Sequence, residues 1–159
     1  MNTSFDVVVV GGGNAALVSA LTAHEEGARV VILDASTEAE RGGNSRFAGA
    51  IFRIAHNGLD DLRPLLCEAA LADVEKVEVG AYTRELYEED LMTTSQGRSD
   101  RGQMEVLFSN SLATVQWMRD QGVQWELNVG KYFSREAAGD ARLPLPLGAE
   151  LRVHGEGVG

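Results

Sequence analysis

Residues 5–16 read FDVVVVGGGNAA, and this segment is the most informative about the fold. Its four consecutive valines are β-branched, and such an unbroken run predicts a strand buried on both faces, as in a parallel sheet covered by helices. The run ends on three glycines, and a helical pattern follows at once, with Leu17, Ala20 and Leu21 on one apolar face. Strand, glycine turn and helix in this order predict the beginning of a β-α-β unit.

Three small residues, Gly11, Gly13 and Ala16, have the spacing G-x-G-x-x-A that is typical of dinucleotide-binding turns. Gly11 permits the tight turn, and Gly13 has no Cβ, so that a pyrophosphate can approach the backbone closely. The free amides and the positive dipole end of the following helix favour bound phosphates. The alternative is a β-α-β unit whose glycines only form a turn.

A second buried strand is predicted at residues 29–34, RVVILD, and it ends in an acid. Asp34 lies about 20 residues after Gly13, at the place where a carboxylate can accept hydrogen bonds from ribose hydroxyls and repel a 2′-phosphate. The sequence then reaches GGNS at residues 42–45. Two adjacent glycines can bring backbone amides to a phosphate, and Asn44 and Ser45 carry short hydrogen-bonding side chains.

The composition is that of an ordinary soluble globular protein of 159 residues, with 44% hydrophobic and 24% charged residues. The net charge of −10 argues against binding to nucleic acid or an anionic membrane, since both require clustered Lys and Arg. Cys67 is the single cysteine, which excludes an internal disulfide, and we interpret it as a buried small hydrophobe. No apolar segment is long enough to span a bilayer, so we expect a cytoplasmic protein without direct membrane insertion.

Later segments predict helices and one further strand. Residues 64–74 are typical of one short helix, and Thr83 and Asp100 are predicted N-caps of two more helices. The last of these helices has an apolar stripe at the 3.6-residue period, which we interpret as core: Met104, Leu107, Phe108, Ser111, Leu112, Val115 and Met118. Residues 123–127 predict a strand, and regular pattern fades from residue 130 onward.

Three segments together carry a family resemblance: GGGNAALVSALTA at residues 11–23, RGGNSRFAGAIFR at 41–53 and GLDDL at 58–62. They resemble the flavoprotein subunit family of fumarate reductases and succinate dehydrogenases. The soluble FAD-dependent branch is the most similar, and within it the tricarballylate dehydrogenases. The resemblance extends over nearly the whole chain and is strongest over residues 6–61.

The resemblance implies an α/β fold in which a Rossmann-like FAD-binding β-α-β unit at residues 5–58 is followed by a mainly helical segment at 59–128. A loop-rich tail is expected at 129–159. Because only two strands are secure and a doubly wound sheet needs more, we expect the chain to be the N-terminal portion of a truncated doubly wound domain.

FAD is the cofactor that the resemblance implies. Its diphosphate would face the glycines and the start of the helix, and its adenosine ribose would face Asp34. Its ribityl chain and flavin ring would face the later turns. The predicted cofactor-binding residues are Gly11, Gly13, Asn14, Ala15, Ala16, Asp34, Gly42, Gly43, Asn44, Ser45, Gly49 and Ala50. Members of the family commonly carry two glycines at the last of these turns, so Ala50 is a departure.

The expected function is that of an FAD-dependent oxidoreductase acting at a CH–CH bond of a small polycarboxylate such as tricarballylate, with an electron-acceptor protein as a further partner. No residue is assigned as the catalytic base, and the 159-residue chain by itself is expected to be inactive. Two alternatives stay open. One is a Rossmann dehydrogenase that binds NAD, and the other is a noncatalytic, truncated nucleotide-binding module.

Several polar residues have two interpretations each. Arg46 and Arg53 are suited to anchor a substrate carboxylate, but we favour surface ion pairs for both. His56 is either an acid–base group or, as we favour, a turn residue, and Arg152 and His154 could lie near substrate. No histidine lies at metal-ligand spacing from a group of four acids, so we interpret these acids as a solvated helix face. They are Glu85, Glu88, Glu89 and Asp90.

Overall fold

The computed structural model describes residues 4–129, 142–145 and 147–155. The chain has an α/β fold that divides into two compact units, the first ending at Ala50 and the second beginning at Ile51. The first unit contains strand β1 (Val7–Val10), helix α1 (Asn14–Glu25) and strand β2 (Val30–Leu33), followed by a 3₁₀-helix at Gly43–Phe47.

The two strands of the first unit are parallel. Val7 pairs with Val30 and Val10 with Leu33, and the amide of Gly11 extends the ladder by donating to the carbonyl of Leu33 at 2.7 Å. The predicted order of strand, glycine turn, helix and second strand is therefore confirmed.

At the opposite end of this sheet, Arg29 forms an ion pair with Asp6, whose carboxylate lies 3.0 Å from its Nε. The side-chain hydrogen bond from Arg29 lowers the pKa of Asp6 below its usual value. This contact joins the beginnings of β1 and β2.

The prediction that the valine strand is buried on both faces is wrong for the described residues. Val8 is 55% exposed and Val10 is 82% exposed, whereas Val7 and Val9 are half-buried. Helix α1 packs on both strands, but of its residues only Ala20 is fully buried. Because side chains alternate along a strand, Val8 and Val10 share one face of β1, and that face is left exposed within the described part of the chain.

The second unit combines short strands with helices. Its elements are β3 (Ile51–Phe52), α2 (Leu59–Leu62), α3 (Glu68–Leu71), β4 (Val77–Glu78), α4 (Arg84–Thr94), α5 (Arg101–Asp120), β5 (Trp125–Leu127), β6 (Leu143–Pro144) and β7 (Leu151–Val153). Strand β7 lies between β3 and β5 and is antiparallel to both, while β4 and β6 form a separate parallel pair.

Helices α4 and α5 begin where the sequence predicts. The side chain of Thr83 accepts a hydrogen bond from the amide of Leu86, and Asp100 accepts one from the amide of Gln103. The apolar stripe of α5 faces the core, with Met104, Phe108, Ser111 and Val115 buried. Leu107 of the predicted stripe is 39% exposed instead.

The core of the second unit surrounds strand β5. Trp125 has no exposed surface, and Leu127 of the same strand and Leu151 of β7 are buried beside it. The remaining buried members of this cluster are Ile54, Leu62, Leu65, Val74, Val77, Val115 and Leu145.

Two features of the second unit differ from the predictions. The single helix predicted at 64–74 is wrong, because Leu66 and Cys67 have extended backbone and separate a 3₁₀-turn from α3. Leu66 forms a β-bridge with Trp125, and the amide of Cys67 donates to the carbonyl of that residue. Cys67 is accordingly half-buried at the start of α3, not a buried helical residue. The strands β6 and β7 also occur where no regular pattern was predicted.

Candidate functional site

The first glycine turn leaves the start of α1 open to a ligand. Gly11 has a φ of 107°, which disfavours other residues, and Gly13 is an extended N-cap without a capping side chain. The amide of Asn14 donates to Oγ of Ser45 at 2.9 Å. The amides of Ala15 and Ala16 have no acceptor among the described residues. Together with the helix dipole, these two amides can bind an anion.

The second glycine turn lies directly against the first. Gly42 and Gly43 both have positive φ, at 116° and 55°. A Cβ added to Gly13 would lie 3.4 Å from Oγ of Ser45 and 3.5 Å from the carbonyl oxygen of Gly42. One added to Gly43 would lie 3.8 Å from Cα of Gly13. The fold therefore brings together two predicted groups of residues that are far apart in the sequence.

Asp34 completes this cluster at the end of β2. Its Oδ1 accepts a hydrogen bond from the amide of Ser36 at 2.9 Å. Its Oδ2 lies so close to Gly12 that an added Cβ there would overlap with it. The predicted acid is thus placed beside the glycine turn and held there by its own loop.

Gly12 belongs to the same cluster, although it was not among the predicted cofactor-binding residues. The fingerprint treats its position as variable. Only the contact with Asp34 shows that a side chain at Gly12 would enter the space between the two loops. We refer to Gly11, Gly12, Gly13, Asn14, Ala15, Ala16, Asp34, Gly42, Gly43 and Ser45 as the glycine cluster.

The glycine cluster fits a dinucleotide. It offers unpaired amides at a helix start for a diphosphate and a carboxylate for hydroxyl groups, and glycines stand where side chains would obstruct the approach. Among the remaining predicted residues, Asn44 lies within the 3₁₀-helix, while Gly49 and Ala50 form the turn that ends the first unit.

Ala50 has a left-handed backbone conformation, with a φ of 59°. We expect Ala50→Gly to stabilise the protein by about 0.5–1 kcal/mol, because glycine removes the steric cost of this conformation and only part of that gain is offset by unfolded-state entropy. The measurement is the midpoint of urea unfolding. Ala48→Gly is the control, since Ala48 has a φ of −78° and should lose stability. Destabilisation by both substitutions would contradict the prediction.

Arg46 does not have the ion pair that we favoured from the sequence. Its guanidinium donates to the carbonyl oxygen of Ala39 at 2.8 Å and lies 6.0 Å from the ring centroid of Phe47. No carboxylate within the described ranges pairs with it. The carbonyl oxygen of Ala39 is therefore the partner of the guanidinium, where the sequence predicted an acidic side chain.

Arg53 has the ion pair that the sequence predicts. Its guanidinium lies 3.2 Å from the carboxylate of Asp90 and also donates to the hydroxyl of Tyr82 and the carbonyl of Gly148. The Tyr82 hydroxyl donates to Asp90 at 2.6 Å, and burial together with this hydrogen bond raises the pKa of Tyr82. Arg53 is therefore committed to structural contacts within the second unit. Asp90 accepts hydrogen bonds from Arg53 and Tyr82 and is therefore not only part of a solvated helix face.

His56 is buried and holds a turn, as the favoured interpretation predicts. Its Nδ1 accepts a hydrogen bond from the amide of Gly58 at 3.1 Å, so that the other ring nitrogen carries the proton. That nitrogen, Nε2, lies 3.6 Å from the buried carboxylate of Glu150. No solvent-facing acid–base role follows from this arrangement.

Arg152 and His154 lie together, and both contact Glu126. The Nε of Arg152 lies 2.9 Å from one carboxylate oxygen of Glu126, and the Nδ1 of His154 lies 2.5 Å from the other. The sequence singled out the two basic residues but missed Glu126, because β7 was not predicted and its pairing with β5 could not be recognised.

Within the part of the chain that the structure describes, no group of three or more His, Cys, Asp or Glu side chains is arranged to hold a metal ion. No helix there is both long and apolar enough to cross a membrane.

Comparison with known proteins identifies the class to which this geometry belongs. Residues 6–148 match the FAD binding domain family, and the chain belongs to that family. FAD, the cofactor predicted from the sequence, is thereby confirmed.

Three relatives add detail. The chain is 32% identical over 123 residues to a vinyl phenol reductase of Lactiplantibacillus plantarum, covering 77% of this chain and 21% of the relative. It is 32% identical over 117 residues to a cytochrome-type fumarate reductase of Shewanella frigidimarina, covering 74% and 18%. It is 28% identical over 120 residues to an NADH:fumarate oxidoreductase of Klebsiella pneumoniae, covering 76% and 11%. The resemblance to fumarate reductase flavoproteins is confirmed, and the chain spans about a fifth or less of these relatives.

Proposed function

We propose that the chain supplies the FAD-binding part of an oxidoreductase that acts at a CH–CH bond of a small polycarboxylate, with tricarballylate as the first candidate. The glycine cluster is the observation that carries the proposal, because it combines free amides, absent side chains and a carboxylate at one place. Two of the three relatives described above are named for fumarate, which is itself a dicarboxylate.

Within this proposal the amides of Ala15 and Ala16 bind the diphosphate, and the carboxylate of Asp34 accepts hydrogen bonds from the adenosine ribose. Gly13 and Gly43 allow the diphosphate to approach both turns. Asn44, Gly49 and Ala50 extend along the ribityl chain and the flavin ring. When bound, FAD would supply the acceptor for the hydride that leaves the substrate, a base on the protein would take the neighbouring proton, and the two electrons would then pass to an acceptor protein.

Two other functions are weighed by the same observations. The match to the FAD binding domain family favours FAD over NAD. The similarity to a vinyl phenol reductase favours a second substrate class, an alkene conjugated to a phenol and lacking carboxylates. Charge on the substrate is therefore the property that separates the two candidates.

The experiment uses the full gene product loaded with FAD under anaerobic conditions. We expect tricarballylate to bleach the visible absorbance of the bound flavin and its trimethyl ester, which has the same skeleton without charge, to leave it unchanged. Vinyl phenol added to the chemically reduced protein tests the second class. Reoxidation by vinyl phenol, with no polycarboxylate changing the spectrum in either direction, would contradict the proposal.

A further inference from the structure

Strands β5 and β7 place three ionisable side chains on one face of the three-stranded sheet. Glu126 is directly opposite Arg152 in the antiparallel register, and Trp125 and Leu151 point to the buried face. His154 follows Arg152 by two residues, and its amide donates to the carbonyl of Gln124, so the register continues. The alternation of the strands thus brings Glu126, Arg152 and His154 together.

The two oxygens of Glu126 each lie beside one basic neighbour, Arg152 as an ion pair without a hydrogen bond and His154 through a hydrogen bond. Arg152 faces Oε1 and His154 faces Oε2, and the three side chains are 24%, 30% and 38% exposed for Glu126, Arg152 and His154 respectively. Because a carboxylate accepts hydrogen bonds, Nδ1 of His154 is the protonated nitrogen. The η nitrogens of Arg152 and Nε2 of His154 form no hydrogen bond within the described residues.

We propose that Arg152, Glu126 and His154 form a binding site for a molecule that carries at least two carboxylates. The η nitrogens of Arg152 bind one carboxylate as a planar fork, and Nε2 of His154 donates to a second carboxylate of the same molecule. Glu126 holds both basic groups in place. The identity of the ligand as a polycarboxylate rests on the proposed function, whereas the arrangement of donors is read from the sheet itself.

Charge balance gives the site a distinctive property. Among the described residues, Glu126 from β5 pairs with His154 and also with Arg152 from β7, whose positive charge neutralises the carboxylate. An incoming dicarboxylate adds negative charge, and Nε2 can donate to it only after His154 takes up a proton. Binding therefore consumes a proton and is tighter at lower pH. A cross-strand ion pair with only a structural role would not have this property.

Isothermal titration calorimetry tests the site with tricarballylate as the probe. The chain is titrated at several pH values, each in two buffers with different ionisation enthalpies. We expect uptake of up to one proton for each molecule bound. His154→Gln should abolish the uptake, and Arg152→Gln should weaken binding about tenfold or more.

Two further variants keep this experiment decisive. Arg152→Lys retains the charge without the fork and should bind between the wild type and Arg152→Gln. Arg84→Gln is the matched control, because Arg84 also pairs with a glutamate, Glu105, but between α4 and α5. It should leave both affinity and proton uptake unchanged.

Absence of tricarballylate binding, or equal affinity and proton uptake in the wild type and the Arg152→Gln and His154→Gln variants, overturns the proposed site. The failure of the proposed function looks different. If tricarballylate binds with proton uptake but no polycarboxylate reduces the flavin, the proposed site is supported and the proposed reaction is contradicted. If tricarballylate reduces the flavin but its affinity is unchanged by substitution of Arg152 or His154, the proposed reaction is supported and the proposed site is contradicted.

Discussion

Gly12→Val is expected to lower the affinity for FAD by about 100-fold or more, since each hydrogen bond lost to a charged phosphate costs about 1.5–3 kcal/mol. The added side chain would occupy the space that Oδ2 of Asp34 now fills and would push it away from the glycine turn. The larger valine would also obstruct the approach of a diphosphate to the amides of Ala15 and Ala16. The φ of Gly12 is not in the left-handed region, so the effect is steric and not a consequence of backbone strain.

Quenching of flavin fluorescence on titration of FAD with protein measures this affinity. Gly12→Ala should give an intermediate loss, because its single methyl group requires only that Asp34 turn aside. Gly27→Asn is the control, since Gly27 lies after α1, an added Cβ meets nothing within 4 Å, and asparagine tolerates its φ of 87°. Wild-type affinity in Gly12→Val would show that the diphosphate lies elsewhere.

The first unit could be predicted because its signals are local. The valine run, the glycine spacing and the acid after the second strand lie next to one another in the sequence and report on neighbouring elements. The contact between Gly13 and Gly43 could not be derived in this way. The family resemblance implied only that both glycines face the diphosphate, and the structure shows that the two turns lie against each other.

The second unit was less predictable because distant pairing overrides local preference. Residues 64–74 have a helical pattern, yet Leu66 and Cys67 adopt extended backbone to pair with Trp125, nearly sixty residues later in the chain. The same holds for β7, which gains its partners from β3 and β5 and has no pattern of its own. Glu126 became recognisable only once its neighbours across the sheet were known.

The exposure of side chains was also predicted poorly from the sequence. A run of valines indicates a strand, but burial of that strand depends on what lies on each face. Val10 is 82% exposed although its backbone pairs with β2 as predicted. Hydrogen-bonded pairing and side-chain burial are thus separate outcomes, and the valine run determined only the first.

Trp125→Ala is expected to destabilise the second unit by about 3–5 kcal/mol, the range observed when a buried large aromatic residue is removed. Trp125 has no exposed surface, and its indole Nε1 donates to the carbonyl oxygen of Val115 at 3.0 Å. Its ring also packs edge-to-face on Phe52, with centroids 5.0 Å apart. The substitution would therefore create a large cavity and remove this buried hydrogen bond together, which places the cost toward the upper end of the range.

Urea unfolding followed by far-UV circular dichroism measures this loss, and two variants separate its causes. Trp125→Phe keeps most of the volume but removes the indole donor, so it should cost less than alanine while still losing the hydrogen bond to the Val115 carbonyl. Trp117→Ala is the matched control, because Trp117 is only half-buried on α5 and should cost clearly less than Trp125→Ala. Equal losses for the two alanine variants would mean that β5 is not the centre of the core, since burial would then not determine the cost.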